Sequence, residues 1–315
     1  MRKKVSFYGA GNVGATTAHW LAEKGICDCY LFDIKGDSAA GKALDMYEAS
    51  PAIGFDSLIT GSNDPSIIAD SDVVVVTAGV PRRKNPETGQ FPSRDELVKT
   101  NQNIITQVAK NIKEHAPNSI VILVTNPLDA MCHVMLEETG FPRERVIGQA
   151  GALDTARYKT FLSMELGVSV KDIHGMVLGG HGDTMVPLPR HTSIGGIPVT
   201  EMISKERLDE IIARTAKGGG EIVRLLGYSG YYAPAAGTAI MVESILQDQK
   251  RVIPSAVYTQ GEYGYNDLFL GLPCVLGSGG VERILDMELN DEEKAKLDYS
   301  ADAVRAVVDV LGYTK

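Results

Sequence analysis

Lys4-Val5-Ser6-Phe7-Tyr8-Gly9-Ala10-Gly11-Asn12-Val13-Gly14 is the stretch that decides the fold. A short apolar run over residues 4–8 meets three glycines spaced GxGxxG, and a helix-compatible segment over 14–24 takes over inside the motif. Each glycine has its own reason. Gly9 permits a tight turn, Gly11 lets a phosphate approach the backbone, and Gly14 lets helix and strand pack closely. The open N–H groups and positive end of the helix then suit a diphosphate, with Asn12 and Val13 beside it. Asp33 ends the next apolar run at the expected interval of about 20 residues. A carboxylate there accepts hydrogen bonds from ribose hydroxyls and repels a 2′-phosphate, so NAD is the expected cofactor rather than NADP.

Further runs follow at 29–34, 57–60, 72–77, 119–125 and 145–147, several rich in Val and Ile without polar alternation. Such runs are strands buried on both faces. Between them, Ile104, Val108 and Ile112 recur at spacing four within a helical segment, 94–115. Strand and helix in series predict an α/β fold, with a Rossmann doubly wound parallel sheet over residues 1–147. Ligands lie beyond the carboxyl ends of such strands, so Thr77, Ala78, Gly79 and Val124 are expected to line the cofactor. Residues 148–315 predict an α+β substrate domain. Helices are expected at 153–166, 204–226 and 238–250, and Gly218-Gly219-Gly220 forms a weak point in the second. Strands are expected at 252–258 and 273–277, and Asn290 caps a last helix that ends at Leu311. No linker separates the halves, which implies intimate packing.

A formal charge of -9 argues against nucleic acid or an anionic membrane as the main partner. The basic start, Arg2-Lys3-Lys4, lacks the apolar core of a signal peptide because Gly9, Gly11 and Asn12 interrupt it. No apolar run reaches the ~18 residues of a membrane span. Cys27, Cys29, Cys132 and Cys274 show neither a disulfide framework nor a zinc pattern, so reduced thiols in the cytoplasm and no metal are expected.

Three polar features carry chemistry. Glycines flank His181 in Gly179-Gly180-His181-Gly182-Asp183, which presents the ring without crowding. Asp154 and Arg157 are three apart on one helical face. The segment 81–95 holds Arg82, Arg83, Lys84 and Arg94. Taken singly, these are a structural histidine, a surface ion pair and a solvated loop. Together they fit hydride transfer to a 2-oxo acid. Histidine donates the proton near neutral pH, aspartate orients it and favours the imidazolium, and arginine grips a planar carboxylate.

In its order and spacing of motifs the chain resembles the lactate/malate dehydrogenase superfamily over essentially its whole length. The matching stretches are GAGNVG, Asp33-Ile34, GKALDM (41–46), TAGVPR (77–82), SRDELVKTN (93–101), VTNPLD (124–129), GALDTAR (151–157) and GGHGD (179–183). GKALDM with Pro81-Arg82 looks most like the lactate-dehydrogenase-like malate dehydrogenases of bacteria and archaea. The resemblance implies that His181 is the proton donor and acceptor and Asp154 its paired carboxylate. It implies that Arg157 clamps the C1 carboxylate and that Arg94 polarises the carbonyl. Asn126 is implied to contact substrate and nicotinamide, and Asn101 to belong to the cofactor site. Arg82 stands where malate enzymes carry an arginine and lactate enzymes a glutamine, so it is the implied partner of the distal carboxylate of oxaloacetate. The loop between Arg82 and Arg94 is several residues longer than the family pattern, which leaves Arg83 as the alternative reader. The implied partners are malate and oxaloacetate, and the implied assembly is a homodimer or homotetramer. Lactate dehydrogenase is the nearest alternative function. A non-catalytic NAD-binding regulator is the alternative of another class.

Overall fold

The computed structural model describes residues 2–81 and 93–313. In chain order its first half comprises β1 (Lys3–Tyr8), α1 (Asn12–Glu23), β2 (Cys27–Phe32), α2 (Gly36–Glu48), α3 (Ser50–Ile53), β3 (Ile59–Ser62), β4 (Val73–Val76), α4 (Arg94–His115), β5 (Ile120–Leu123), α5 (Leu128–Thr139) and β6 (Val146–Gly148). The six strands form a parallel sheet in the order β3-β2-β1-β4-β5-β6. Strand β4 is four consecutive valines, all fully buried. Val73 and Val75 enter one core cluster, Val74 and Val76 the other. That partition explains why the strand lacks polar alternation: helices cover both faces. The order reverses between β1 and β4, and there the turns after both strands open a crevice.

The second half begins with α6 (Gly151–Leu166). Small strands β7 (Ile173–His174), β8 (Val177–Leu178), β9 (Val186–Pro187), β10 (Ser193–Ile194) and β11 (Ile197–Pro198) follow, then α7 (Val199–Met202), α8 (Lys205–Leu226) and α9 (Tyr232–Leu246). The chain ends with β12 (Arg251–Gln260), β13 (Asn266–Gly277), β14 (Gly280–Ile284) and α10 (Asp291–Val308). Strands β12, β13 and β14 pair antiparallel, and β12 joins β6 through Ala256 and Gly148, so one nine-stranded sheet spans both halves. Intimate packing of the halves is thereby met.

Several boundaries differ from the expected ones; β2 runs Cys27–Phe32 rather than 29–34, and the last helix ends at Val308, with a 3₁₀ turn carrying the chain to Leu311. Helix α9 starts at Tyr232, six residues before position 238, because Pro234 falls in the first turn, where no intrahelical N–H is needed. It stops at Leu246, and Asp248 and Lys250 then adopt positive φ of 52° and 56°. Strand β13 is 12 residues long and starts at Asn266 rather than 273. Its apolar stretch is buried on both faces, so it offers no alternation to count. Strand β3 is displaced from 57–60 to Ile59–Ser62. Helix α8 runs unbroken through Gly218-Gly219-Gly220, for a reason that lies in the site. The cap at Asn290 is present as a full capping box with Glu293, an arrangement worth about 1 kcal/mol.

Candidate active site and dinucleotide cleft

At the end of β1 the chain turns through Gly9, whose φ of +112° disfavours any side chain; an added Cβ would also lie 2.7 Å from the Ala78 nitrogen. A Cβ on Gly14 would fall 2.2 Å from the Gly9 carbonyl oxygen, so the helix can approach the strand only as glycine. Gly11 has nothing within 4 Å of its missing Cβ and faces open space. Helix α1 then starts without a side-chain cap and without an acidic residue in its first turn. Its leading N–H groups have no intrahelical partner, and no carboxylate competes for the positive end. Beside this turn Asp33 accepts from the backbone N–H groups of Ala10 (2.9 Å) and Lys35 (3.0 Å). Two fixed donors hold the carboxylate in place and leave lone pairs for hydroxyl groups. These residues fit a diphosphate with a ribose diol next to it.

The second cluster draws on elements far apart in sequence. Strands β8 and β9 pair as a hairpin, and His181 sits on the connection between them. Gly179 exchanges backbone hydrogen bonds with Gly271 of β13. Gly180 N–H donates to Ser300 Oγ at 2.9 Å, and a Cβ there would lie 2.4 Å from Val304. The His181 N–H donates to Asp129 Oδ2 at 3.1 Å. The hairpin is thus fixed by backbone contacts on three sides before the ring is considered. Helix α6 supplies the rest. Thr155 Oγ1 accepts the Val177 N–H at 3.0 Å and ties the helix to β8. That anchor brings Asp154 Oδ2 to 2.9 Å from His181 Nδ1, and Arg157 lies one turn on, with Nη1 3.5 Å from Asp154 Oδ1. The glycine triplet of α8 now has a cause. A Cβ on Gly218 would fall 2.3 Å from Arg157 Cδ, so the helix is thinned where the arginine passes.

Burial disfavours a charged His181, but the charge and hydrogen bond of Asp154 outweigh it, with the Asp129 charge adding to them. The net result is a pKa above the usual histidine value, despite the opposing charge of Arg157. With Nδ1 committed to Asp154, Nε2 remains for a ligand. Asp129 is itself unusual. Burial pushes its carboxyl up to about 6, against the pull of His181, and Oδ1 has no hydrogen-bond partner.

One cleft of about 1130 Å³ connects the two clusters. Gly11, Asn12, Val13, Thr77, Gly79, Val124 and Asn126 line it toward the first cluster, His181 and Arg157 toward the second. Gly9, Gly14 and Ala78 lie behind the wall as packing partners. Asn101 is buried and does not line the cleft. It brackets the two turns instead, bonding both backbone groups of Val80 and donating to the Asn126 carbonyl at 2.6 Å. Arg82, Arg83 and the side chain of Arg94 lie outside the described residues; Arg94 opens α4 behind the Ser93 cap. No group of three or more potential metal ligands occurs among the described residues, and no described helix is long and apolar enough to cross a membrane. Asp129, Gly218 and Ser300 carry no local sign of their part in the site: nothing in the sequence marks an aspartate in a first helical turn, a glycine inside a helix or a distant serine as a neighbour of His181 or Arg157.

Residues 3–148 match the family described as lactate/malate dehydrogenase, NAD binding domain, and residues 151–311 match lactate/malate dehydrogenase, alpha/beta C-terminal domain. The chain belongs to the lactate/malate dehydrogenase family. A malate dehydrogenase of Rhodopirellula baltica is 56% identical over 313 residues, 98% of each chain. The malate dehydrogenase structure from Salinibacter ruber is 47% identical with a TM-score of 0.93, covering 98% of this chain and 97% of that one. A Cryptosporidium parvum lactate dehydrogenase, solved with lactic acid and nicotinamide adenine dinucleotide, has a TM-score of 0.94 at 35% identity, covering 100% and 99%. Both halves of the cleft therefore lie within a single dehydrogenase family architecture.

Proposed function

We propose that this chain interconverts (S)-malate and oxaloacetate with NAD as its cofactor. The observation that carries the reading is the His181–Asp154–Arg157 cluster opening into the same cleft as the glycine-rich turn. Bound in that cleft, the nicotinamide supplies or accepts the hydride. His181 Nε2 gives its proton to the C2 oxygen of oxaloacetate during reduction and takes it back from the malate hydroxyl during oxidation. Asp154 holds the ring through Nδ1 and stabilises the imidazolium. Arg157 pairs with the C1 carboxylate, and Arg94 and Asn126 act on the reacting carbonyl. Thr77, Ala78, Gly79, Val124 and Asn101 form the cofactor wall or hold it in place. Asp33 pairs with the ribose diol and makes NADPH the poorer substrate.

Malate is favoured over lactate by the names of the relatives and by Arg82, whose cation suits a second carboxylate and opposes an apolar methyl. The lactate alternative has a structural neighbour in its favour, and a non-catalytic regulator would not need an intact histidine–aspartate pair. Oxidation of NADH, followed by its absorbance, separates the three. Oxaloacetate is expected to be reduced at least ~30-fold more efficiently than pyruvate, since losing one partner of a buried charge pair costs about 2–5 kcal/mol. Faster reduction of pyruvate establishes the lactate alternative, and no turnover with either establishes the regulator. The reading includes a homodimer or homotetramer in the cytoplasm. Exposed Leu44, Tyr47 and Ile53 on α2 and α3 support assembly, and four free, buried cysteines support a reducing compartment.

A further inference from the structure

Lys42 of α2 lies beside the glycine turn. Its half-buried side chain reaches back across the turn after β1, and Nζ donates to the Ala10 carbonyl at 2.6 Å. No carboxylate forms an ion pair with it among the described residues. The same residue, Ala10, gives its N–H to Asp33. Its neighbour Gly9 donates to the Phe32 carbonyl at 2.8 Å and accepts from Thr77 Oγ1 at 2.8 Å. All four backbone polar groups of Gly9-Ala10 are therefore held by the protein. Those left open belong to the first turn of α1, from Asn12 on, which faces the cleft.

We infer that Lys42 is a dinucleotide-binding residue. It fixes the Ala10 carbonyl away from the ligand and brings a positive charge to the cofactor's diphosphate. A lysine is otherwise a poor choice for holding one carbonyl. It loses more rotamer freedom than most side chains, and a half-buried ammonium without an anion is costly. A diphosphate at the glycine turn supplies the anion, and the ammonium retains two further donors. Asp33 and Lys42 thus grip Ala10 from opposite polar groups: one sets the ribose side of the turn, the other the phosphate side. The inference rests on the cofactor reading above.

Fluorescence titrations of the full chain test it, using NADH, ADP-ribose and adenosine as probes. Lys42→Met is expected to weaken NADH and ADP-ribose roughly tenfold or more, the loss typical of a hydrogen bond to a charged group. Adenosine, which lacks the diphosphate, should bind as before, and Lys42→Arg should restore most of the affinity. Added salt should weaken NADH binding to the wild type more than to Lys42→Met. With NADH saturating, kcat should stay near the wild-type value. If Lys42→Met is too unstable to titrate, Lys42→Gln, which keeps a donor but no charge, carries the same expected loss. Unchanged NADH affinity in the neutral variant overturns the inference, as does an equal loss for adenosine. A wild type that fails to bind NADH overturns the cofactor reading instead, so the two failures are distinct.

Discussion

The two ends of the cleft are built by opposite means. On the proposed reading, recognition at the dinucleotide end would rest on the backbone. Three glycines, an uncapped helix and one carboxylate make up that end within about 25 residues of chain. At the proposed catalytic end, recognition would rest on side chains. His181, Asp154, Arg157 and Asp129 come from a hairpin and two helices, and glycines serve mainly to let those side chains or their supports pass. Backbone sites are specified locally and tolerate change elsewhere. Side-chain sites depend on long-range packing, so substitutions far away in sequence reach them.

If the ends are independent in this way, damage at one should leave the other intact. The largest expected effect is that of His181→Asn. General acid–base catalysis is worth about 10²–10⁴-fold, so kcat for oxaloacetate reduction should fall by that range while the NADH dissociation constant stays unchanged. A matching loss of NADH affinity would break the separation, because the hairpin would then be supporting the dinucleotide end. Gly218→Val should come next. Its side chain occupies the space of Arg157 Cδ, so KM for oxaloacetate should rise roughly tenfold, about 1.4 kcal/mol, with little change in NADH binding. An unchanged KM would mean that Arg157 can reach its carboxylate by another path.

Asp129→Asn should have the smallest effect and the most informative one. Asparagine keeps an acceptor for the His181 N–H but removes a charge that favours the imidazolium. On the proposed reading only the protonated histidine would donate to the substrate oxygen, and the His181 pKa is raised in the fold. Efficiency with oxaloacetate is therefore full below that pKa and is lost as pH rises through it. Without the Asp129 charge the loss should begin at lower pH. A pH profile that does not move, measured as kcat/KM against pH, would reduce Asp129 to a backbone support.

The same contrast explains what the sequence revealed. The dinucleotide turn was legible because its causes are close together: Gly9, Gly11, Gly14 and Asp33 sit at fixed local spacings, and the valines of β4 announce a doubly covered sheet. His181 and the Asp154–Arg157 pair were legible as residue types in telling settings, and as a group through family resemblance. Gly218 was not. Within its helix it is a weak point, and only the passage of Arg157 from α6 shows why the helix is thin there. Asp129 was hidden for a similar reason, since its partner is a backbone N–H more than fifty positions away. Helix α9 and strand β13 were misplaced at their starts because Pro234 suits a first turn as well as a break, and because a strand covered on both faces has no period to read.

The pairing of Ala256 with Gly148 has a consequence for biosynthesis. The first half leaves the ribosome with β6 as an unprotected sheet edge, the kind of surface that recruits stray strands. Its cover, β12, is made about a hundred residues later, which at ~5–20 residues per second is a wait of roughly 5–20 s. Glycine at position 148 offers little side-chain adhesion during that interval, and the Cys132 sulfur and the Ala256 methyl fill the space where a larger residue would stand. The same small residue that admits β12 offers no side chain for another surface to pack on.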